Sequence, residues 1–303
     1  MSNHPLVEVF GFPVDNFSVE AVDSRGRKLC PFKGEGGLCH KDKEEAPLGV
    51  CSMSRGDKIV IICPNRFLEG KRFLDDAAEF LFPSGQPWTY FTEVKIKDKN
   101  GKEVGRSDLV LVSLKDKDQL DNFGSVEVQA VYISGNIREP FTYYTEDPSE
   151  RFEMDWKQIA KKVKKIYPRP DYLSARKRLA FQLRSKGSIF HSWNKKQVVI
   201  VDSNFYSSLP EMDEVERDEA EIAWMIYDVR LDQRLKRYRL VRTGVKYTAF
   251  ESALEKIMVG ENPDSRLFEE QLGAKLLDQI KERNRGDRSD VSIQLDLLTS
   301  GGE

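Results

Sequence analysis

Glu93-Val94-Lys95-Ile96-Lys97-Asp98-Lys99-Asn100-Gly101-Lys102-Glu103-Val104-Gly105-Arg106-Ser107-Asp108 reads as two strands folded back on each other about an Asn-Gly turn. Asn-Gly accepts the positive φ angles of a two-residue type I′ turn, so residues whose numbers sum to 201 should face each other across the hairpin. That register sets Glu93 opposite Asp108, with Cβ atoms ~5 Å apart. Two carboxylates at that spacing repel unless a proton or a cation lies between them. Taken alone, the hairpin has a plainer reading. The same register sets Lys95 opposite Arg106, and a solvated ribbon with both like-charge pairs splayed into water needs no metal.

The neighbouring segments give the acids a setting. Leu109-Val110-Leu111-Val112 is apolar on both faces, which predicts a strand covered on both sides inside a layered α/β domain, with the hairpin near the middle of the sheet. After a charged turn at 115–121, residues 125–133 form a third strand. There Glu127 and Gln129 point to one face while Val126, Val128 and Ala130 pack on the other. If this strand lies beside the second, Asp108, Glu127 and Gln129 converge, with Glu93 across the hairpin. Oxygen ligands without histidine favour Mg²⁺ over zinc, and only His4, His40 and His191 are present. A Mg²⁺ held by Asp108 and Glu127 would polarise a phosphoryl oxygen and acidify a bound water. Gln129 would hold that water by hydrogen bond but cannot take its proton. An isolated Glu-x-Gln is most often a solvated sheet face, so the chemistry rests on the whole constellation.

Outside this core the periodicity predicts a strand over 58–62 and a helix over 71–81, with Phe73, Leu74, Ala77, Ala78 and Leu81 on one stripe and Pro83 closing it. Two basic helices follow over 155–166 and 170–184. The second starts at Pro170 and carries Leu173, Arg176, Lys177, Ala180, Phe181 and Arg184 at helical spacing. Strands over 197–202, 221–231 and 238–245 and helices over 250–258 and 267–283 complete the order, with a loose tail from Gly286. The regions are therefore 1–70, 71–285 and 286–303. The chain has 303 residues, 39% of them hydrophobic, enough to bury a full core. Met1-Ser2-Asn3-His4-Pro5 is unlike a signal peptide and no apolar run approaches the ~20 residues of a membrane span, so a cytoplasmic location is expected. The net charge of -2 hides opposed regions: 157–196 holds 13 Lys and Arg against Asp171 alone, and 211–221 is strongly acidic. Lys161, Lys164, Arg176 and Arg184 are candidates to contact phosphates, although basic helices are more often plain solvated surface. Tyr143, Tyr144, Trp156 and Trp193 read as core or rim.

All four cysteines, Cys30, Cys39, Cys51 and Cys63, fall between residues 30 and 63. In a reducing compartment disulfides are disfavoured, whereas four thiolates complete a tetrahedral shell for zinc or a single iron. The Gly-rich loop Lys33-Gly34-Glu35-Gly36-Gly37 between them has little hydrophobicity with which to fold by itself. Three cysteines with His40 form a variant ligand set, and Cys63, ending the run Ile59-Val60-Ile61-Ile62, also reads as a buried core thiol.

Asp108, then Glu127-x-Gln129, resembles the PD-(D/E)xK nuclease core in the variant where glutamine replaces lysine. Cys30-Pro31-Phe32, Cys39-His40-Lys41, Gly49-Val50-Cys51-Ser52 and Cys63-Pro64-Asn65-Arg66-Phe67 narrow the likeness to the NotI group of type II restriction endonucleases. By motif the resemblance covers residues 6 to 135. It implies an α/β restriction-endonuclease-like core, a central mixed sheet flanked by helices, with a small amino-terminal four-cysteine metal region. It also implies a homodimer that cuts a GC-rich palindrome in double-stranded DNA with Mg²⁺, leaving 5′ overhangs. Asp108, Glu127 and Gln129 would take the core catalytic roles and Glu93 that of an additional upstream acid. Cys30, Cys39, Cys51 and Cys63 would hold structural iron, though their spacing fits zinc equally. A companion DNA methyltransferase would act on the same site without needing to bind this chain. Ser107 stands where the motif has proline, and the motif's lysine is absent. A non-catalytic DNA-binding regulator with a structural metal is the main alternative; an iron redox protein would leave the acidic cluster unexplained.

Overall fold

The computed structural model describes residues 4–34, 36–43, 45–115, 119–162, 166–259 and 264–284. Met1–Gly260 form one compact unit and Glu261–Glu303 a second. The first begins with β1 (Leu6–Val9), β2 (Phe12–Pro13), helix α1 (Val19–Gly26), β3 (Val50–Arg55) and β4 (Lys58–Ile61). These strands make an antiparallel sheet in the order β2-β1-β3-β4. Only β4 is foreseen from the sequence, because the others are short and broken by the cysteine loop. A tight turn over Pro64–Lys71 leads into α2 (Arg72–Leu81), whose predicted stripe is buried.

The central sheet follows: β5 (Trp88–Lys97), β6 (Glu103–Lys115) and β7 (Gln119–Gln129), then β10 (Gln197–Asp202), β11 (Ile222–Asp232) and β12 (Arg237–Thr248). Between β7 and β10 lie β8 (Tyr132–Ser134), α3 (Arg138–Glu146), α4 (Pro148–Arg151), α5 (Trp156–Lys162), β9 (Arg169–Asp171), α6 (Tyr172–Gln182), a π-helical turn over Leu183–Gly187, and α7 (Ser188–Ser192). β8 pairs with β9. The remaining helices are α8 (Ser203–Tyr206), α9 (Phe250–Val259) and, in the second unit, α10 (Ser265–Asn284). The sheet order is β12-β11-β10-β7-β6-β5. β10 runs parallel to β7 and β11 and the other pairs are antiparallel, so the sheet is mixed. All six residues of β10 are buried, as expected of a central parallel strand.

One face of the sheet, with Leu109, Leu111, Val126, Val198 and Ile200, packs against α2. The other sets Val199, Val201 and Trp224 against Ala175, Leu179 and Leu183 of the α6 segment and against α9.

Several expectations change. The hairpin β5–β6 lies at the edge of the sheet, not its middle: helices cover β6 above and below, and that burial says nothing of its lateral neighbours. The buried stripe of α6 is Ala175 and Leu179, while Leu173 and Phe181 of the series at helical spacing are exposed. Pro170 belongs to β9, and α6 starts instead on a side-chain cap, Asp171 accepting from Ser174 N at 3.0 Å. Of the predicted helix over 155–166, α5 covers Trp156–Lys162; residues 163–165, and hence Lys164, lie outside the described residues, as does the tail from Gly286.

The turn also differs. Gly101 N donates to Asp98 O and Asp98 N to Lys102 O, both at 2.9 Å, so the loop holds three residues and only Gly101, at φ +78, is left-handed. This is a type I turn closed by a glycine, and it sets a sum of 200, as in Lys97↔Glu103. One step on, Val104 is an unpaired bulge, and Ile96↔Gly105 returns to the predicted 201, which then holds to Trp88↔Ser113.

Candidate active site

Asp108 and Glu127 come together on neighbouring strands. Leu109 pairs with Val126, so the next position outward sets Asp108 beside Glu127. Both carboxylates reach one ammonium, Lys186 Nζ, which lies 2.8 Å from Glu127 Oε2 and 3.4 Å from Asp108 Oδ2. Glu127 is largely enclosed, with a side chain 12% exposed, whereas that of Asp108 is 51% exposed. Burial pushes the Glu127 carboxyl up to about 7; the Lys186 ammonium pulls it down and the Asp108 carboxylate pushes it up again. Two carboxylates share this one ammonium, an arrangement that suits a divalent cation. Two carboxylates with water and phosphate completing the shell are an ordinary Mg²⁺ donor set.

Gln129 faces the same side as Glu127, as strand alternation predicts, while Val126 and Val128 turn to the α2 face. It is buried, and its Nε2 donates to Ala130 O at 2.5 Å. With Asp108, Lys41, Arg178 and Gln182 it lines a cavity of about 370 Å³. Glu93 stands apart from the acid pair. Its φ is +55, and there the strand turns over: Trp88 and Tyr90 pack on the α2 face, yet Val94 and Ile96 pack with Val110 and Phe190. The Glu93 carboxylate lies 3.4 Å from Arg106 Nη1. Glu93 and Asp108 nonetheless line one cavity of about 590 Å³, continued by Tyr90, Lys71, Asn65 and Lys33.

Residues that local sequence patterns do not reveal complete the site. Arg178, Gln182 and Lys186 recur every fourth position, and Gln182 Nε2 donates to Glu127 Oε1. The repeat is visible in the sequence, but nothing local says that it faces the acids. Lys161 and Arg184 are exposed and Arg176 is half-buried. None of the three shares the cavities of the acids.

The cysteine segment forms a wall of both cavities through Phe32, Lys33, Lys41 and Pro64. All four cysteines are buried, and none forms a disulfide. Burial pushes the thiols of Cys30, Cys39 and Cys51 up, and Cys63 adds to the rise in each. Lys41 Nζ donates to Val50 O at 2.8 Å and Ile62 O at 3.0 Å, strapping the residues that precede Cys51 and Cys63. The donors suit a thiolate-bound metal, yet among the described residues no three His, Cys, Asp or Glu side chains stand at metal-binding spacing. No described helix is long and apolar enough to cross a membrane.

Compared with known protein families, residues 15–240 match the model described as restriction endonuclease NotI. No curated protein matches the chain.

Proposed function

The chain belongs to the NotI restriction endonuclease family, a type II site-specific deoxyribonuclease acting on double-stranded DNA, and from that premise we propose that it cuts with Mg²⁺ held by Asp108 and Glu127. The observation that carries this reading is the convergence of those two carboxylates on one ammonium beside an open cavity. Mg²⁺ bound there would polarise the scissile phosphate and acidify the attacking water. Gln129 lines the adjoining cavity and orients that water through its amide, and Glu93 bounds the groove on the other side of Asp108. Membership of the family sets aside the non-catalytic regulator.

The finer reading follows the same lines. The core spans 71–285 as a PD-(D/E)xK nuclease in its Glu-x-Gln variant, and 1–70 carries structural iron or zinc on Cys30, Cys39, Cys51 and Cys63. The chain acts as a homodimer on a GC-rich palindrome, leaving 5′ overhangs, opposite a methyltransferase of the same specificity. Its size is similar to that of EagI, a shorter member of the group, which points to CGGCCG. Lys161, Arg176 and Arg184 contact phosphates. Incubation with GC-rich supercoiled plasmid tests the activity: discrete fragments should form with Mg²⁺ and none in EDTA, and sequenced ends give the site. Random degradation would overturn it.

A further inference from the structure

Resting on the Mg²⁺-dependent reading above, we propose that Lys186 is a further catalytic residue, its ammonium donating to a non-bridging oxygen of the scissile phosphate beside Asp108 and Glu127. The polar groups of the sheet nearest the acids are already engaged. Gln129 is neutral and spends its Nε2 on Ala130 O. Lys95 lies 3.4 Å from Glu103, and Arg106 bridges Glu93 and Glu103. Among the described residues, Lys186 is the cation that reaches both Asp108 and Glu127.

Its position is built into the fold. Lys186 lies in the π turn Leu183–Gly187 between α6 and α7, and such turns recur at functional sites because the extra residue re-aims a side chain. Leu183 and Gly187 within the turn are buried, anchoring it to the core while Lys186 extends along the polar seam. Gly187 makes the close approach possible: a Cβ there would stand 3.0 Å from both Gln197 Oε1 and Phe250 Cε2. Gln197 Nε2 donates to Gly187 O at 3.1 Å and locks the turn onto β10. Gln182 and Arg178 extend the seam one and two turns back, with Gln182 holding Glu127 in place. An ammonium has three N–H donors, enough to serve Asp108, Glu127 and a phosphoryl oxygen together.

In the reaction the water oxygen bonds to phosphorus as the bond to O3′ breaks. The water gives its proton to solvent and O3′ takes one from solvent. Lys186 takes part by donation alone, and its hydrogen bond strengthens as charge builds on the phosphoryl oxygens.

The test measures single-turnover cleavage of a plasmid site at saturating Mg²⁺, with binding to the same fragment measured in Ca²⁺. Lys186→Met should cut at least ~100-fold more slowly, the scale for losing one such donor, with affinity within about threefold of wild type. Lys186→Arg should recover at least about tenfold of that loss, since charge and donors remain. Lys186→Gln replaces the methionine variant if that one does not fold. Cutting by Lys186→Met within about threefold of wild type would overturn the proposal. So would binding lost in step with cutting, or a lowered Mg²⁺ requirement at unchanged maximal rate, which would make Lys186 a mere stand-in for the metal. Failure of the underlying site reading gives a different result, undiminished cutting by Asp108→Ala.

Discussion

Arg66 Nε lies 3.0 Å from Glu8 Oε2, and neither side chain has any solvent exposure. Ser52 Oγ donates to the same oxygen at 2.7 Å, Arg66 Nη1 reaches Glu69 at 2.6 Å, and Nη2 donates to Tyr238 O at 3.0 Å. The Phe32 ring sits 4.6 Å from the guanidinium. One buried charge pair thereby joins β1, β3, the cysteine loop and β12. Glu8→Ala leaves the buried guanidinium with only Glu69 of these two carboxylates and should destabilise the protein by about 3–5 kcal/mol in urea unfolding. A loss under about 1 kcal/mol would mean that Glu69 alone compensates the charge.

Asp108→Ala removes a carboxylate that is half exposed and bears no packing load. Cutting should fall by more than ~100-fold while retention of labelled duplex in a gel shift persists. A mutant that cuts like wild type would remove Asp108 from the site.

Gly187→Ala pushes a methyl group against Gln197 and Phe250. The overpacking should cost about 1–3 kcal/mol by urea titration. Because Lys186 rides on the same turn, the cleavage rate at a temperature where the variant is fully folded should also drop. A rate equal to wild type would uncouple the turn from the chemistry.

His4 is buried, with Nδ1 accepting from Leu6 N at 3.1 Å, and burial lowers its pKa from 6.5 to about 4. The unfolded chain binds this proton near 6.5 and the folded chain only near 4, so the stabilisation is complete above pH 6.5 and is lost as pH falls to about 4. The loss is about 3 kcal/mol. Unfolding free energies of wild type and His4→Asn from urea titration should therefore converge by about that amount between pH 7 and pH 4. A constant gap would refute the assignment.

Elemental analysis of purified protein should find iron or zinc in a fixed ratio to chain, lost in Cys63→Ser. Stripping the metal should lower the melting temperature, since a site formed only in the folded state adds its binding energy to folding. Iron would show a visible thiolate band that bleaches on reduction; zinc would show none. Metal-free protein with unchanged melting would sink the four-cysteine site.

Where local periodicity governs, sequence and structure agree. The α2 stripe, the fully buried β10 and the Glu127/Gln129 alternation follow from spacing alone, because side chains three or four apart on a helix and two apart on a strand share a face. Strand order is not a local property, and β5 at the sheet edge shows it. The sequence does not say which face of α6 is buried, because the exposed Leu173 and Phe181 are as apolar as the buried Leu179 and Leu183. Lys186 was invisible for a related reason: its contact with Glu127 depends on how a π turn crosses a sheet, and no spacing encodes that.

Val104 offsets the three-residue tip, so pairing beyond Ile96 does not depend on the count of residues at the end of the hairpin. Deleting Val104 would turn the bulge into a regular ladder and leave Ile96 still facing Gly105. The tip thus carries one residue more than the ladder needs, so that loss of Val104 and the chemistry at Asp108 are separately heritable.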